Sequence, residues 1–572
     1  MKKQLIFTAL GAMLLASCAD TWDRVYEGGN PQKEGYEYLA DYAPLKEYVD
    51  RSKNPNFKVA LAIEANDYNK QELVYALANS NFEELVTGNA MKMASCVDDK
   101  GNMSFGTVTE FINNATNAGM NIYGHTLAWH SQQPVKWLTS LIKDKELDID
   151  PDSKIETLVS TKTYTDGPFP FYPMGCEPPV VNGAIHFVPT GAWSQFFCLP
   201  GGENTLTEGD YVIYLDLQSD KDASNIQFTI QNGWGGDAQN MSLPISVTAG
   251  RKTYKLKFPG VTGGNYDCIL KPQTADATLD LYSVTVTQLV KLNAIPLTPE
   301  EKKDTLTWAM DKWIDGMMTA CEGKVKAWDV VNEAISGGNP DSEGVYALQH
   351  SQGYTPGGTW DVGGDAFYWQ DFLGDLDYVR TAVASARKHF EANGGNPSEL
   401  KLFVNDYNLE SDWDNNGKLK SLIAWIKRWE ADGVTKIDGI GTQMHISCYL
   451  NPQTQESKKK HITQMFELMA ASGKLCRVSE LDMGLVDAEG NSVKTADVTE
   501  EQHKAMAEMY KFVVSEYLRI IPADQQWGIC QWCATDAPAN SGWRGGEPVG
   551  LWDSNYYRKH TYAGFANGLS GK

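Results

Sequence analysis

Short apolar runs rich in Val, Ile, Leu and Ala recur along most of this chain, separated by longer segments whose apolar residues return every three to four positions. The first pattern reads as buried strands and the second as amphipathic helices. Strands are predicted over 59–65, 85–90, 122–129, 325–333, 401–407, 440–445, 475–481 and 526–535, with helices such as 305–321 and 419–429 between them. Alternating strands and helices of this number predict an α/β fold, a (β/α)8 TIM barrel whose active site is built at the C-terminal strand ends.

One interval breaks the rhythm. From 153 to 288 the helical period disappears, and short alternating runs bounded by Gly, Asn and Thr take over, as at 210–217, 225–231 and 252–258. That pattern predicts an all-β antiparallel sandwich inserted into the barrel. Because the insertion follows the third strand and precedes a helix starting near Pro299-Glu300, it is expected to leave the barrel at the strand-end face. The sandwich resembles the jelly-roll carbohydrate-binding modules. That resemblance implies glycan contacts through exposed aromatics such as Trp193 and Trp234.

The N-terminus carries Lys2 and Lys3, then an apolar stretch over 5–16 that is too short to span a bilayer stably. It reads as a secretion signal. Leu15-Ala16-Ser17-Cys18 resembles a bacterial lipoprotein cleavage box, which implies acylation of Cys18 and an exported protein held by lipid at the outer membrane or cell surface. The expected organisation is a signal over 1–17, a linker over 18–40, barrel segments over 41–152 and 289–572, and the sandwich over 153–288. A chain of 572 residues is long enough for two domains.

Composition narrows the partners. Asp and Glu number 73 against 50 Lys and Arg, a net charge of −23, which disfavours nucleic acid and anionic membrane surfaces. A neutral polysaccharide is compatible with that sign. The ten cysteines are scattered and show no disulfide framework. Cys530 and Cys533 fall within one predicted strand, three positions apart and on opposite faces, and read as packing residues. No zinc signature or phosphate-binding glycine loop occurs. DWDNNG (412–417) imitates a calcium loop, but its twelfth position is Ile423, so it reads as a turn into the 419–429 helix. No cofactor or metal is expected.

The chemistry lies at the strand ends. WDVVNEAI (328–335) and RVSELDMG (477–484) each deliver a glutamate, Glu333 and Glu480. Paired carboxylates suit glycoside hydrolysis, where one protonates the leaving oxygen and the other attacks or directs water. GHTLAWH (124–130), LFVNDYN (402–408), GTQMHI (441–446) and QWCATD (531–536) accompany them in order. Together these motifs resemble the glycoside hydrolase family 10 endo-β-1,4-xylanases, from about Tyr38 to Ala566 apart from the insertion.

The resemblance implies retaining hydrolysis of xylan and xylo-oligosaccharides, with Glu333 as acid/base and Glu480 as nucleophile. Carboxylates about 5 to 5.5 Å apart do not both ionise cheaply, so the charge of Glu480 is expected to keep Glu333 protonated. The resemblance also implies that Asn332 binds a sugar hydroxyl, and that His445 holds the nucleophile and is oriented by Asp482. Gln443 lies near the acid/base in the family, and Asn89, Lys92 and His125 line the glycone side. Trp129, Trp532 and Trp543 match aromatic walls. Asp329, Asn405 and Asp406 read as supports, and Tyr407 as an aglycone platform.

Two departures concern specificity. Gly88 stands where the family usually has a glutamate, implying a missing hydrogen bond to a distal sugar that Gly88→Glu would restore. Cys533 replaces a usual glycine. Two other readings stay open from sequence: hydrolysis of another β-linked glycan such as mixed-linkage glucan, and a surface glycan-binding lipoprotein with little turnover. Oligomeric state is not legible.

Overall fold

The computed structural model describes residues 33–146, 154–189, 194–235, 238–273, 276–291, 294–355, 364 and 366–571; the readings on Cys18 and Trp193 lie outside them. The chain forms two compact units, one of Met1–Lys143 with Leu297–Lys572 and the other of Asp144–Pro296.

The first unit is a closed parallel barrel. Its strands are β1 (Lys58–Ile63), β2 (Glu84–Thr87), β3 (Asn121–Ala128), β4 (Ala327–Asn332), β5 (Lys401–Tyr407), β6 (Gly439–Gln443), β7 (Leu475–Val486) and β8 (Gln526–Gln531). They pair in sequence order, β8 returns to β1, and β6 pairs with β7. A further short strand, His445–Tyr449, runs beside the second half of β7, from His445 opposite Asp482 to Tyr449 opposite Val486.

The predicted strands at 85–90 and 526–535 are shorter in the structure. β2 stops at Thr87 and β8 at Gln531, so Asn89, Lys92 and Trp532 sit in loops above the barrel. Cys533 is therefore not on a strand with Cys530, and the strand-parity argument for that pair does not apply. Both are free thiols, as are the other described cysteines. β7 runs longer than predicted, to Val486, because its second half gains the partner strand.

The helix Pro299–Cys321 shows how the barrel is clad. Thr298 and Glu301 form a reciprocal capping box, and Glu322 ends the helix in the left-handed region. Leu306, Met310, Trp313, Ile314, Met317 and Cys321 recur at three-to-four spacing and are buried. Each contributes about 1.5–3 kcal/mol by leaving water. The Trp313 indole N–H donates to the Leu127 carbonyl at 2.8 Å, which ties this helix to the top of β3.

The barrel interior is polar at one level. Arg477 and Glu84 form a fully buried ion pair, the Arg477 guanidinium lies 3.7 Å from the centre of the Tyr123 ring, and the Trp527 indole donates to Glu84 at 3.1 Å. Phe403 packs edge-on against Tyr123. Above this plug the inward positions become the polar groups of the site.

The second unit contains two antiparallel sheets. The strands Gly250–Val261, Gly209–Ser219, Leu279–Lys291, Ala184–Phe187 and Val180–Val181 are neighbours in that order, with Lys154–Thr163 also paired to Leu279–Lys291. Opposite them lie Asn240–Val247, Ala223–Gln231, Asp267–Gln273 and Ser194–Leu199. Ile213, Leu215 and Leu217 from one sheet and Phe228, Ile230 and Leu270 from the other share one core. Alternate residues face inward, as a sandwich requires. Trp234, in the loop three residues after the strand Ala223–Gln231, stays 69% exposed and outside that core.

Candidate active site

Bulges aim the two glutamates. In β4 the register against both neighbours shifts between Asp329 and Val331, and in β7 the register against β8 shifts between Val478 and Leu481. Such irregularities re-aim side chains at barrel rims. Glu333 follows β4 with φ at 54°, a left-handed conformation that costs a non-glycine residue on the order of 1 kcal/mol. Its N–H donates to the Asn405 carbonyl at 2.7 Å, which holds the turn.

Glu480 is buried in a web of donors. His445 Nε2 lies 3.1 Å from one carboxylate oxygen, and the Asn405 amide donates to the other at 3.0 Å. His445 Nδ1 is 2.8 Å from Asp482, which also accepts the Trp543 indole N–H at 2.9 Å and pairs with Arg544 at 3.1 Å. Burial opposes charge on both members, yet the outcome is clear. Asp482 and Glu480 overcome burial and lift His445 to about 10, so it is an imidazolium at neutral pH. Burial would raise Glu480, but the His445 hydrogen bond, the His125 and His445 rings and Asn405 hold it below the ordinary carboxylate value.

Glu333 behaves oppositely. Burial is the main force raising its pKa, and the negative Asp406 and Glu480 add to it. The charge of Glu480, expected from sequence to keep Glu333 protonated, is thus the lesser cause; burial is the greater, and Asp406 contributes as well. Gln443 donates to Glu333 Oε1 at 3.1 Å and Trp129 to Oε2 at 3.0 Å, and both moderate the rise. The side-chain partners of the Glu333 carboxylate, Trp129, Asn332 and Gln443, are all donors, so its proton, once present, is left for an acceptor in the cleft.

Asn332 joins the two halves. Its amide oxygen accepts from Asn405 at 2.8 Å and Gln443 at 3.2 Å, leaving its NH2 beside Glu333 at 3.3 Å. Ser479 donates to the Asn405 oxygen and fixes that amide's orientation. Lys92, buried, is pulled down in pKa by burial while Glu480, Glu333 and Glu64 attract its charge. His125 bonds Asp329 at 2.8 Å, and Tyr123 donates to the same carboxylate at 2.6 Å.

Glu333 and Glu480 open on one cleft of about 970 Å³, together with Asn89, Lys92, Trp129, Tyr407, Gln443, His445, Trp532 and Trp543. Asn332, His125, Asp329 and Asp482 stand behind these side chains. The Trp543 ring packs 4.5 Å from His445, and Trp532 lies between His125 and His445 at 5.7 and 6.1 Å. One face of Tyr407 carries the Lys418 ammonium at 3.2 Å, and Tyr407 also lines the cleft. Lys418 in turn pairs with the buried Asp406 at 2.7 Å. Asn405, read from sequence as a support, touches Glu480 itself.

Arg544 and Glu64 escaped the sequence reading. Arg544 bonds the carbonyls of His445 and Ile446 as well as Asp482, locking the short strand that carries the imidazole. Glu64 occupies the space beside Gly88: a Cβ there would stand 2.9 Å from its carboxylate oxygen. The gap implied by Gly88 is thus filled from the neighbouring strand. The DWDNNG segment is a turn into the helix Gly417–Glu430, with Asp412 paired to Lys458 and Asp414 accepting from the Lys418 N–H. Among the described residues no group of His, Cys, Asp and Glu could hold a metal ion.

Comparison with known proteins gives the same grouping. Endo-beta-1,4-xylanase Xyn10C of Cellvibrio japonicus is 28% identical over 264 residues, 44% of this chain and 37% of that protein. Endo-1,4-beta-xylanase C of Paenibacillus barcinonensis is 31% identical over 216 residues, 36% of this chain and 16% of its own. The chain thus spans well under half the length of these relatives. Xylanase B of Clostridium stercorarium F9 superposes with a TM-score of 0.52 at 17% identity, covering 92% of this chain and all of that one. Xylanase10C of Cellvibrio japonicus, a mutant solved with xylopentaose, does so at 0.52 and 18%, covering 93% and 70%. The sequence profile described as Glycosyl hydrolase family 10 matches residues 48–165 and 287–568, both parts of the barrel and well over half of the chain. The chain belongs to glycosyl hydrolase family 10.

Proposed function

We propose that this protein is a retaining endo-β-1,4-xylanase. The observation that carries the reading is the opposite displacement of two carboxylates in one cleft, Glu480 held ionised by His445 and Asn405 and Glu333 pushed towards protonation. Such a split supports Glu333 as the acid and Glu480 as the ionised partner that attacks. Glu480 attacks the anomeric carbon as Glu333 gives its proton to the departing oxygen. Esterification removes the charge of Glu480, one cause of the raised pKa of Glu333. Glu333 then takes a proton from water, and that water releases the sugar. One N–H of the Asn332 amide donates to Glu333 at 3.3 Å and the other is left for a sugar hydroxyl, while Trp129, Trp532 and Trp543 supply apolar walls.

Xylan as substrate rests on family membership, on relatives named endo-1,4-β-xylanases, and on a structural neighbour solved with xylopentaose. Reducing-sugar release from xylan tests it: Glu333→Gln lowers the rate roughly 10²–10⁴-fold, and Glu480→Gln abolishes it. No release by the unmodified protein rejects the reading.

The inserted sandwich we read as a carbohydrate-binding module, supported by the exposed Trp234. Affinity electrophoresis of the full chain carrying Glu333→Gln in xylan gels tests this; unaltered retardation after Trp234→Ala removes that tryptophan from the binding face. Lipid anchoring at Cys18 rests on the Leu15–Cys18 sequence alone. Export that leaves the protein in the membrane fraction, and Cys18→Ala that releases it, are the expected results.

A further inference from the structure

The wall of the cleft beside β1 and β2 carries a carboxylate with no assigned role. Glu64 follows β1 and Gly88 follows β2, and the Gly88 N–H donates to the Ile63 carbonyl at 3.0 Å, so the two positions are lateral neighbours at adjacent strand ends. Both line the cleft that holds Glu333 and Glu480. Because residue 88 has no side chain, the Glu64 carboxylate lies over it.

The local contacts give Glu64 a direction. It accepts the Asn89 amide N–H at 3.0 Å; the Asn89 oxygen accepts Lys92 at 3.1 Å; and the Lys92 ammonium lies 5.1 Å from the centre of the Trp129 ring. A row Glu64, Asn89, Lys92 therefore runs along the cleft towards the wall whose indole bonds Glu333. Both polar ends of the Asn89 amide are engaged, which fixes its orientation. The short helix Ala65–Asn69 does not explain the side chain, since its cap uses only the Glu64 backbone. Among the described residues no cation lies within ion-pair distance of Glu64. An exposed carboxylate with one oxygen on a neutral amide keeps acceptor capacity for the vicinal hydroxyls of a pyranose.

We propose that Glu64, resting on the xylanase reading above, is the specificity-determining acceptor for the glycone sugar beyond the one cleaved, and the positioning residue for Asn89. Gly88 is the space that lets this carboxylate reach the cleft from β1. Gly88→Glu would then set a second carboxylate against Glu64 and weaken binding through like charges, contrary to the gain expected from sequence alone.

The test uses the full chain and two aryl β-glycosides, a xyloside and a xylobioside, and reads the ratio of their kcat/KM values. Glu64→Ala lowers the xylobioside-to-xyloside ratio about ten-fold, most of it through KM. Gly88→Glu alone also lowers the ratio. The double variant Glu64→Ala with Gly88→Glu recovers most of the loss, a rescue that a folding defect would not produce. A ratio unmoved by Glu64→Ala, or raised by Gly88→Glu in the presence of Glu64, overturns the proposal. An unmodified protein that cleaves neither xyloside overturns the substrate reading, and this proposal with it; cleavage of both with an unmoved ratio overturns this proposal alone.

Discussion

Replacing Gln443 with methionine should extend activity to higher pH while lowering its maximum. Methionine keeps the length and unbranched shape of glutamine, so the cavity stays filled. It removes the donor to Glu333 Oε1 at 3.1 Å and to Asn332 at 3.2 Å. A donor to a carboxylate favours the ionised form; without it the pKa of Glu333, already raised, rises further. A hydrogen bond to a charged group contributes roughly 1.5–3 kcal/mol, and one pKa unit corresponds to about 1.4 kcal/mol. The ceiling is therefore about two units. Trp129 and the Asn332 NH2 still donate to Glu333, which brings the expectation to about one unit. The alkaline limb of kcat/KM reports deprotonation of the acid in the free enzyme. Profiles on xylohexaose should show that limb about one pH unit higher and the acidic limb in place. The maximum should fall roughly ten-fold as Asn332 loses a partner. An alkaline limb that stays or moves down would refute the assignment of Glu333 as the acid held by Gln443.

Asp482→Asn should move the opposite limb. It removes the charge that lifts His445, the imidazole loses protonation, and Glu480 then ionises at higher pH; the acidic limb of kcat/KM should rise by about one unit, and an unmoved limb contradicts the relay. Arg477→Leu leaves Glu84 buried without its cation and should cost about 3–5 kcal/mol, read as a marked fall in the apparent midpoint of thermal unfolding; an unchanged midpoint would show that the interior plug is not needed. His503 is buried and, chiefly through burial, held at about 3, below its unfolded value. Its contribution is fully present above about pH 6.5 and is lost as pH falls towards 3, at about 1.4 kcal/mol per unit. His503→Gln should flatten that part of the stability profile, and an unaltered acid sensitivity would rule this histidine out.

Much of the barrel was legible because its strands are buried on both faces and read as apolar runs; 401–407 matches β5 residue for residue. The runs failed where apolar residues outlast the sheet. Trp532, Cys533 and Ala534 look like strand, yet the chain leaves β8 after Gln531 to wall the cleft: the Trp532 N–H still bonds the Leu481 carbonyl of β7, but the Ala534 carbonyl accepts from the Leu551 and Trp552 N–H groups instead of from a barrel strand. That Glu333 and Glu480 share one cleft was legible through their motifs. The cause of their pKa split was not, since burial and the nearness of Asp406 to Glu333 exist only in the fold. Trp129 read as a wall and is also a donor to Glu333. Glu64 had no signal at all: one exposed carboxylate after a strand gains meaning only when Gly88 is beside it.

The central claim is that Glu480 attacks and Glu333 protonates in a double displacement. Proton NMR of xylohexaose hydrolysis, following the first anomer released, tests it most directly, with Glu333→Gln and Glu480→Gln alongside. The account predicts early β-anomer that mutarotates later, and no comparable turnover in either variant. Early α-anomer, or full activity in the Glu480→Gln variant, would contradict it.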